Sequence, residues 1–226
     1  MTIWEAVAVC AAGIGAGAIN SVVGSGTLLT FPVLLAVGLP PVTANVSNSL
    51  GVVPGSISGA VGYRRELRGQ LRRVLRLSGV VLLGALGGAV LLVTLPSSAF
   101  DMIVPALIGI ALVLVVIQPW LGRLVQRRRE RRGGTPHPYG GVPLQTGLLF
   151  SSAYGGYFGA AQGVLYLALM GLSLDETLQR VNAVKNVLGA VANGTAAVFF
   201  LFVADFDWTA VVLIAAGSAV GGQLGA

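Results

Sequence analysis

The run Asn20-Ser21-Val22-Val23-Gly24-Ser25-Gly26-Thr27 interrupts an apolar stretch of 35 residues that extends from Ile3 to Val37. A helix rises 1.5 Å per residue and the hydrocarbon core of a bilayer is about 30 Å thick, so one span needs about 20 apolar residues. Ile3 to Val37 is therefore too long for one span and too short for two. It breaks where Gly24, Ser25, Gly26 and Thr27, and then Pro32, weaken a helix. The stretch reads as a span followed by a re-entrant or half helix.

The same ruler applied outward gives further apolar stretches at 45–62, 74–95, 102–121, 144–173, 183–204 and 209–226. The stretch 144–173 is again overlong and is broken by Gly155, Gly156, Gly159 and Gly163. Both overlong stretches read as hairpins that return to the side they entered from or end within the membrane. Composition agrees: 55% of the 226 residues are hydrophobic and only 10% are charged, against about 25% charged in soluble domains. Mean hydropathy is +0.85. A soluble globule and a disordered chain are both excluded. The single cysteine, Cys10, lies in an apolar run and offers neither a disulfide framework nor a thiol metal site. Met1 to Glu5 lacks the basic region of a cleavable signal peptide.

The net charge is +6, and its placement decides what it means. Twelve of the 14 cations form two clusters, Arg64, Arg65, Arg68, Arg72, Arg73 and Arg76, then Arg123, Arg127, Arg128, Arg129, Arg131 and Arg132. Short basic loops between membrane spans mark the cytoplasmic side, so the clusters read as topology signals with a further capacity for anionic lipid, and no nucleic-acid partner is inferred. The loop from Pro96 to Asp101 then lies outside. With 144–173 as a hairpin, Asp205-Phe206-Asp207-Trp208 also falls outside, an acidic and aromatic boundary. Glu66, beside Arg65 and Arg68, reads as a surface ion pair, and His137 as a solvated loop residue.

Asn45-Val46-Ser47-Asn48-Ser49-Leu50-Gly51 aligns with Ala183-Val184-Lys185-Asn186-Val187-Leu188-Gly189, and Gly84-Ala85-Leu86-Gly87-Gly88 resembles Gly217-Ser218-Ala219-Val220-Gly221-Gly222. A glycine-broken stretch precedes each copy. The fold class expected is an all-α polytopic membrane protein of two inverted-topology repeats with broken or re-entrant helices, the second repeat incomplete. Its parts are a first repeat at 1–122, a basic cytoplasmic linker at 123–143 and a second repeat at 144–226. The natural protein is expected to continue with a short basic loop and one more span.

Matched helix breaks in inverted repeats point to a transporter site near the bilayer midplane. A helix broken in lipid must satisfy its freed N–H and C=O groups, and lining a polar cavity does so. A half helix starting there aims N–H donors at the cavity and favours an anion. Asn20, Ser25, Gly26 and Thr27 line the first break, and Gln162 the second. Asn45 and Asn48, with Asn182 and Asn186, form a second layer expected to face one another across the cavity. Lys185 begins an otherwise uncharged stretch, and an ionisable group within the membrane marks a functional site. Arg180 is a second candidate counter-charge. No metal site, cofactor or catalytic motif is found, and an enzyme is not expected. Gly13-Ile14-Gly15-Ala16-Gly17 lacks the strand a nucleotide loop requires.

The runs Gly17 to Pro32, Pro41 to Asn48 and Gly62 to Leu67 resemble the TauE/SafE-type sulfite exporter family, as do Gly155 to Gly163 and Gln179 to Asn186 in the second half. The resemblance covers nearly the whole chain and departs from the family's pattern at the end, where the last span is lacking. It implies a permease of inverted repeats that moves a small anion such as sulfite, a sulfonate or a related organic acid across a bacterial-type inner membrane. A membrane scaffold subunit and an anion channel are the competing readings.

Overall fold

The computed structural model describes residues 1–131 and 140–226. His137 and Arg132 lie outside the described residues. The described chain is helical throughout: α1 (Ile3–Val22), α2 (Thr27–Ala36), α3 (Pro41–Gly51), α4 (Val53–Gly62), α5 (Leu71–Thr94), α6 (Ser97–Arg131), α7 (Gly141–Tyr157), α8 (Gln162–Ser173), α9 (Leu178–Phe200) and α10 (Trp208–Leu224). Four helices are long and apolar enough to cross a membrane, namely α1, α5, the Ser97–Trp120 part of α6, and α9. Their outer faces carry exposed large side chains such as Trp4, Val116 and Val198, as a lipid-facing surface requires.

Both overlong stretches break where their glycines stand, and they break in the same way. At the end of α1 the N–H groups of Val23 and Gly24 both donate to the Ile19 carbonyl, at 2.7 and 3.0 Å. At the end of α7 those of Phe158 and Gly159 both donate to the Tyr154 carbonyl, at 2.9 and 3.2 Å. Gly24 and Gly159 then turn into the left-handed region, with φ of +87° and +79°, where a side chain is disfavoured. Corresponding residues at the two ends are 135 apart, and so are the starts of α2 at Thr27 and α8 at Gln162.

Glycine also sets the main helix contacts. Along α10, Gly217, Gly221 and Gly225 lie against the carbonyls of Cys10, Ile14 and Ala18 of α1. Along α5, Gly84 and Gly88 lie against those of Leu149 and Ala153 of α7. Each pair runs parallel in register, in steps of four residues, and the missing side chains let the backbones touch. The Gly13 to Gly17 run is part of the α1 packing face, since Gly13 and Gly17 abut α10.

Three local expectations differ from the structure. The stretch 45–62 is two helices divided at Val52, because Pro54 lacks an N–H and crowds the preceding turn. Helix α6 continues past residue 122 to Arg131, with Pro105 and Pro119 inside it, so the basic segment begins as helix. Glu66 forms no ion pair among the described residues. An acid that engages the first arginine cluster is Glu176, paired with Arg73 at 2.8 Å and also with Arg180 at 2.6 Å. At the opposite end Asp207 caps α10, accepting from the Ala210 N–H at 2.8 Å. The rings of Phe206 and Trp208 stack there at 5.5 Å.

Candidate functional site

The two breaks meet. The Gly163 N–H, in the first turn of α8, donates to the Gly24 carbonyl at 3.0 Å, and the two Cα atoms abut so closely that a Cβ on either would collide. Asn20 closes the first break from within, its Oδ1 accepting from the Gly26 N–H at 2.7 Å.

A helix end leaves its last carbonyls without partners and carries partial negative charge. Here α9 supplies the donors. Lys185 Nζ donates to the carbonyls of Asn20 at 2.6 Å and Ser21 at 3.1 Å. Nδ2 of Asn182 and of Asn186 also donate to the Ser21 carbonyl, at 2.9 and 3.2 Å. The same relation appears at the other break, where Asn45 Nδ2 on α3 donates to the Tyr157 carbonyl at the end of α7, at 2.9 Å. Among the described residues, Asn45 and Asn182 each keep a buried Oδ1 with no partner.

The amides therefore do not face one another across a cavity as expected. Each half sends an asparagine to the broken helix of the other half, because a backbone carbonyl freed in an apolar interior is the acceptor most in need of a donor. Asn48 serves its own half, donating to Thr27 Oγ1 at 3.2 Å and accepting from Thr30. Gln162 lies over Gly155 and donates to the Tyr166 hydroxyl, which also bonds Ser152. Ser25 is buried in the break, and its carbonyl accepts from Leu28. Arg180 stands apart from this cluster, bonded to Glu176 and to the Arg68 carbonyl.

A cavity of about 30 Å³ lies between the breaks, lined by Asn20, Thr27, Gln162, Tyr166, Lys185 and Asn193 among others. Tyr166 and Asn193 were not singled out in the sequence. Asn193 was within reach, since Asn182, Asn186, Gly189 and Asn193 recur every three or four residues and, with Lys185, stripe one face of α9. Lys185 is 2% exposed, and among the described residues no carboxylate pairs with it. A second cavity, of about 270 Å³, adjoins the end of α1 and is lined by Val22, Gln118, Val164, Leu167, Ala168 and Asn182, with others.

A family model described as sulfite exporter TauE/SafE matches residues 9–226. The chain belongs to this family. Proteins similar to this TauE/SafE chain include the probable membrane transporter protein YfcA of Escherichia coli strain K12, 27% identical over 216 aligned residues, with 93% of this chain and 75% of the relative covered. A probable membrane transporter protein of Haemophilus influenzae is 29% identical over 218 residues, 95% of this chain and 81% of its own. The probable membrane transporter protein ORF9 of a Sinorhizobium species is 26% identical over 210 residues. No solved structure matches the chain significantly. TauE/SafE membership and the apolar helices make this a membrane protein of a transporter family, with a small-molecule substrate implied.

Proposed function

We propose that the chain moves a small anion across the membrane by alternating access, its halves being inverted repeats whose broken helices meet at the substrate site. The observation that carries this reading is Lys185. Its ammonium is buried, is held only by the carbonyls at the end of α1, and has no carboxylate partner among the described residues. Carbonyl dipoles orient such a cation but leave its charge uncompensated, and burying one is costly. An anion entering between the breaks compensates it, while Gln162, Tyr166 and Asn193 supply neutral hydrogen bonds. Sulfite, a sulfonate or a related organic acid fits this chemistry, as the family name suggests.

The 30 Å³ cavity has the volume of about one water molecule. Loading an anion with several oxygens therefore requires α1 and α8 to part. Rocking of one half against the other about the Gly24–Gly163 contact provides that motion. Against the scaffold reading, the glycine faces that join α1 to α10 and α5 to α7 are already used inside the molecule.

The test is binding of sulfite and methanesulfonate to the full chain in nanodiscs, with uptake into proteoliposomes as the second readout. Lys185→Leu is expected to weaken binding at least about 100-fold, the equivalent of about 3 kcal/mol for a lost charge-assisted contact, with Lys185→Arg retaining part of it. Full binding by Lys185→Leu, in a protein that still elutes as a single species, overturns the assignment.

A further inference from the structure

We infer that anion and proton load together: Lys185 takes up a proton as the anion binds between the breaks and gives it up as the anion leaves, so that each anion crosses with a proton. This inference rests on the anion-site reading above and deepens it by naming the ion that accompanies the cargo.

The hydrogen bonds at Nζ carry the argument. Lys185 Nζ donates to the carbonyls of Asn20 and Ser21, and to no other partner among the described residues. A neutral amine has two N–H groups, and these two carbonyls use both. An ammonium has three, and the third has no acceptor in the site as it stands. Lys185 is almost wholly buried, and a charge buried with neither a counter-ion nor its full set of hydrogen bonds is costly. Loss of the proton removes that cost and leaves both carbonyls served. An anion reverses the balance, because it supplies the missing charge and the missing acceptor at once. The proton comes from water, adds to the Nζ lone pair and returns to water on release, and no other bond is made or broken.

The surroundings offer no other group for this part. Of the elements packed on α9, α3 and α4 carry no titratable residue. On α1, Glu5 and Cys10 stand at least ten positions before Asn20, about 15 Å or more along the axis. Arg72, Arg73 and Arg76 occupy the first two turns of α5, where Arg73 pairs with Glu176, as does Arg180 of α9 itself. On α8 the Tyr166 hydroxyl bonds Ser152 and Gln162, and on α7 the Tyr154 hydroxyl donates to the Ala160 carbonyl.

The two breaks differ in what surrounds them. At the second, Phe31 packs edge-on against Phe158 at 5.1 Å and Phe100 lies 5.6 Å from Tyr157, so aromatic carbon fills that end. The larger cavity adjoins the first, at the end of α1. A proton carried with a monovalent anion makes the crossing electroneutral, and a membrane potential then neither drives nor opposes it.

The experiment is calorimetric binding of methanesulfonate, the anion of a strong acid, to the full chain in nanodiscs from about pH 6 to about pH 9, in pairs of buffers of unlike ionisation enthalpy. Proton uptake is expected to approach about one per anion at the alkaline end, where affinity falls about tenfold per pH unit. Lys185→Arg keeps its charge throughout and is expected to retain part of the binding with no proton uptake. Tyr166→Phe, which removes the other titratable group lining the cavity, is expected to bind more weakly with the same uptake as the parent. In proteoliposomes, a pH gradient acid on the methanesulfonate side is expected to accumulate it at zero potential, whereas a potential alone is not. Binding without proton uptake anywhere in the range overturns this inference and leaves the anion site standing. So does uptake that persists in Lys185→Arg, or that vanishes in Tyr166→Phe while binding remains, since each assigns the proton elsewhere. Binding of neither methanesulfonate nor sulfite at any pH overturns the anion reading and this inference together.

Discussion

At the scale of single residues, the polar side chains of the site were legible as exceptions within apolar runs, and their partners were not. Asn45, Asn182, Lys185 and Asn186 stood out by type and spacing. What they bind is a carbonyl 112 to 165 positions away, exposed only because the other half's helix ends there. Spacing reports which face a residue occupies, and long-range contact alone reports what it meets. Glu176 shows the same limit: nothing local to it announces Arg73. Burial works against its charge, and the two flanking guanidiniums outweigh burial, holding its carboxyl below the usual carboxylate range. A carboxyl depressed in the folded state stabilises above its unfolded value, and that contribution is lost as pH falls through the folded value. Thermal unfolding followed from pH 7 down to about 3 is expected to show a stability loss that begins near pH 4.5 and deepens below it. In Glu176→Gln this acid-dependent limb is reduced and the protein is less stable at pH 7. Identical acid profiles for the two proteins refute a stabilising role for the Glu176 ion pairs with Arg73 and Arg180.

Among the elements, the glycine-rich stretches were legible as places of interruption or close packing, but composition alone does not sort one from the other. The Gly24 and Gly159 positions end helices, whereas Gly84 and Gly88 lie within one. The sorting comes from neighbours: a positive φ at the first pair, and a facing carbonyl at the second. Adjacent glycines on α5 provide a direct check. Gly88 abuts the Ala153 carbonyl of α7, whereas at Gly87 an added Cβ meets nothing within 4 Å. Gly88→Leu is expected to cost about 4 kcal/mol or more, roughly 10 °C in melting temperature for a chain of this size. Gly87→Leu is expected to stay within about 2 °C of the parent. Comparable melting of the two variants contradicts the α5–α7 register. The division of 45–62 at Val52 was foreshadowed by Pro54, but an apolar run long enough for one span concealed it.

For the whole molecule, the helical class and the places where helices break were visible in the sequence, whereas the meeting of the two breaks at Gly24 and Gly163 was not. That contact depends on how the halves dock, which no local pattern encodes. Alternating access with the observed asymmetry makes a prediction of its own. In a Cys10→Ser background, a cysteine at Gln179 or Leu167 is expected to react with a membrane-impermeant thiol reagent applied from the side of the arginine clusters. A cysteine at Phe158, packed behind Phe31 and Phe100, is expected to resist the reagent applied from that side. Labelling of all three positions at one rate contradicts a molecule open at one end. The backbone-to-backbone meeting of Gly24 and Gly163 carries a final consequence. If the halves rock about this contact as proposed, a pivot without side chains is separate from the residues that choose the cargo, so exchanging lining residues retunes what is carried and leaves the turning itself unchanged.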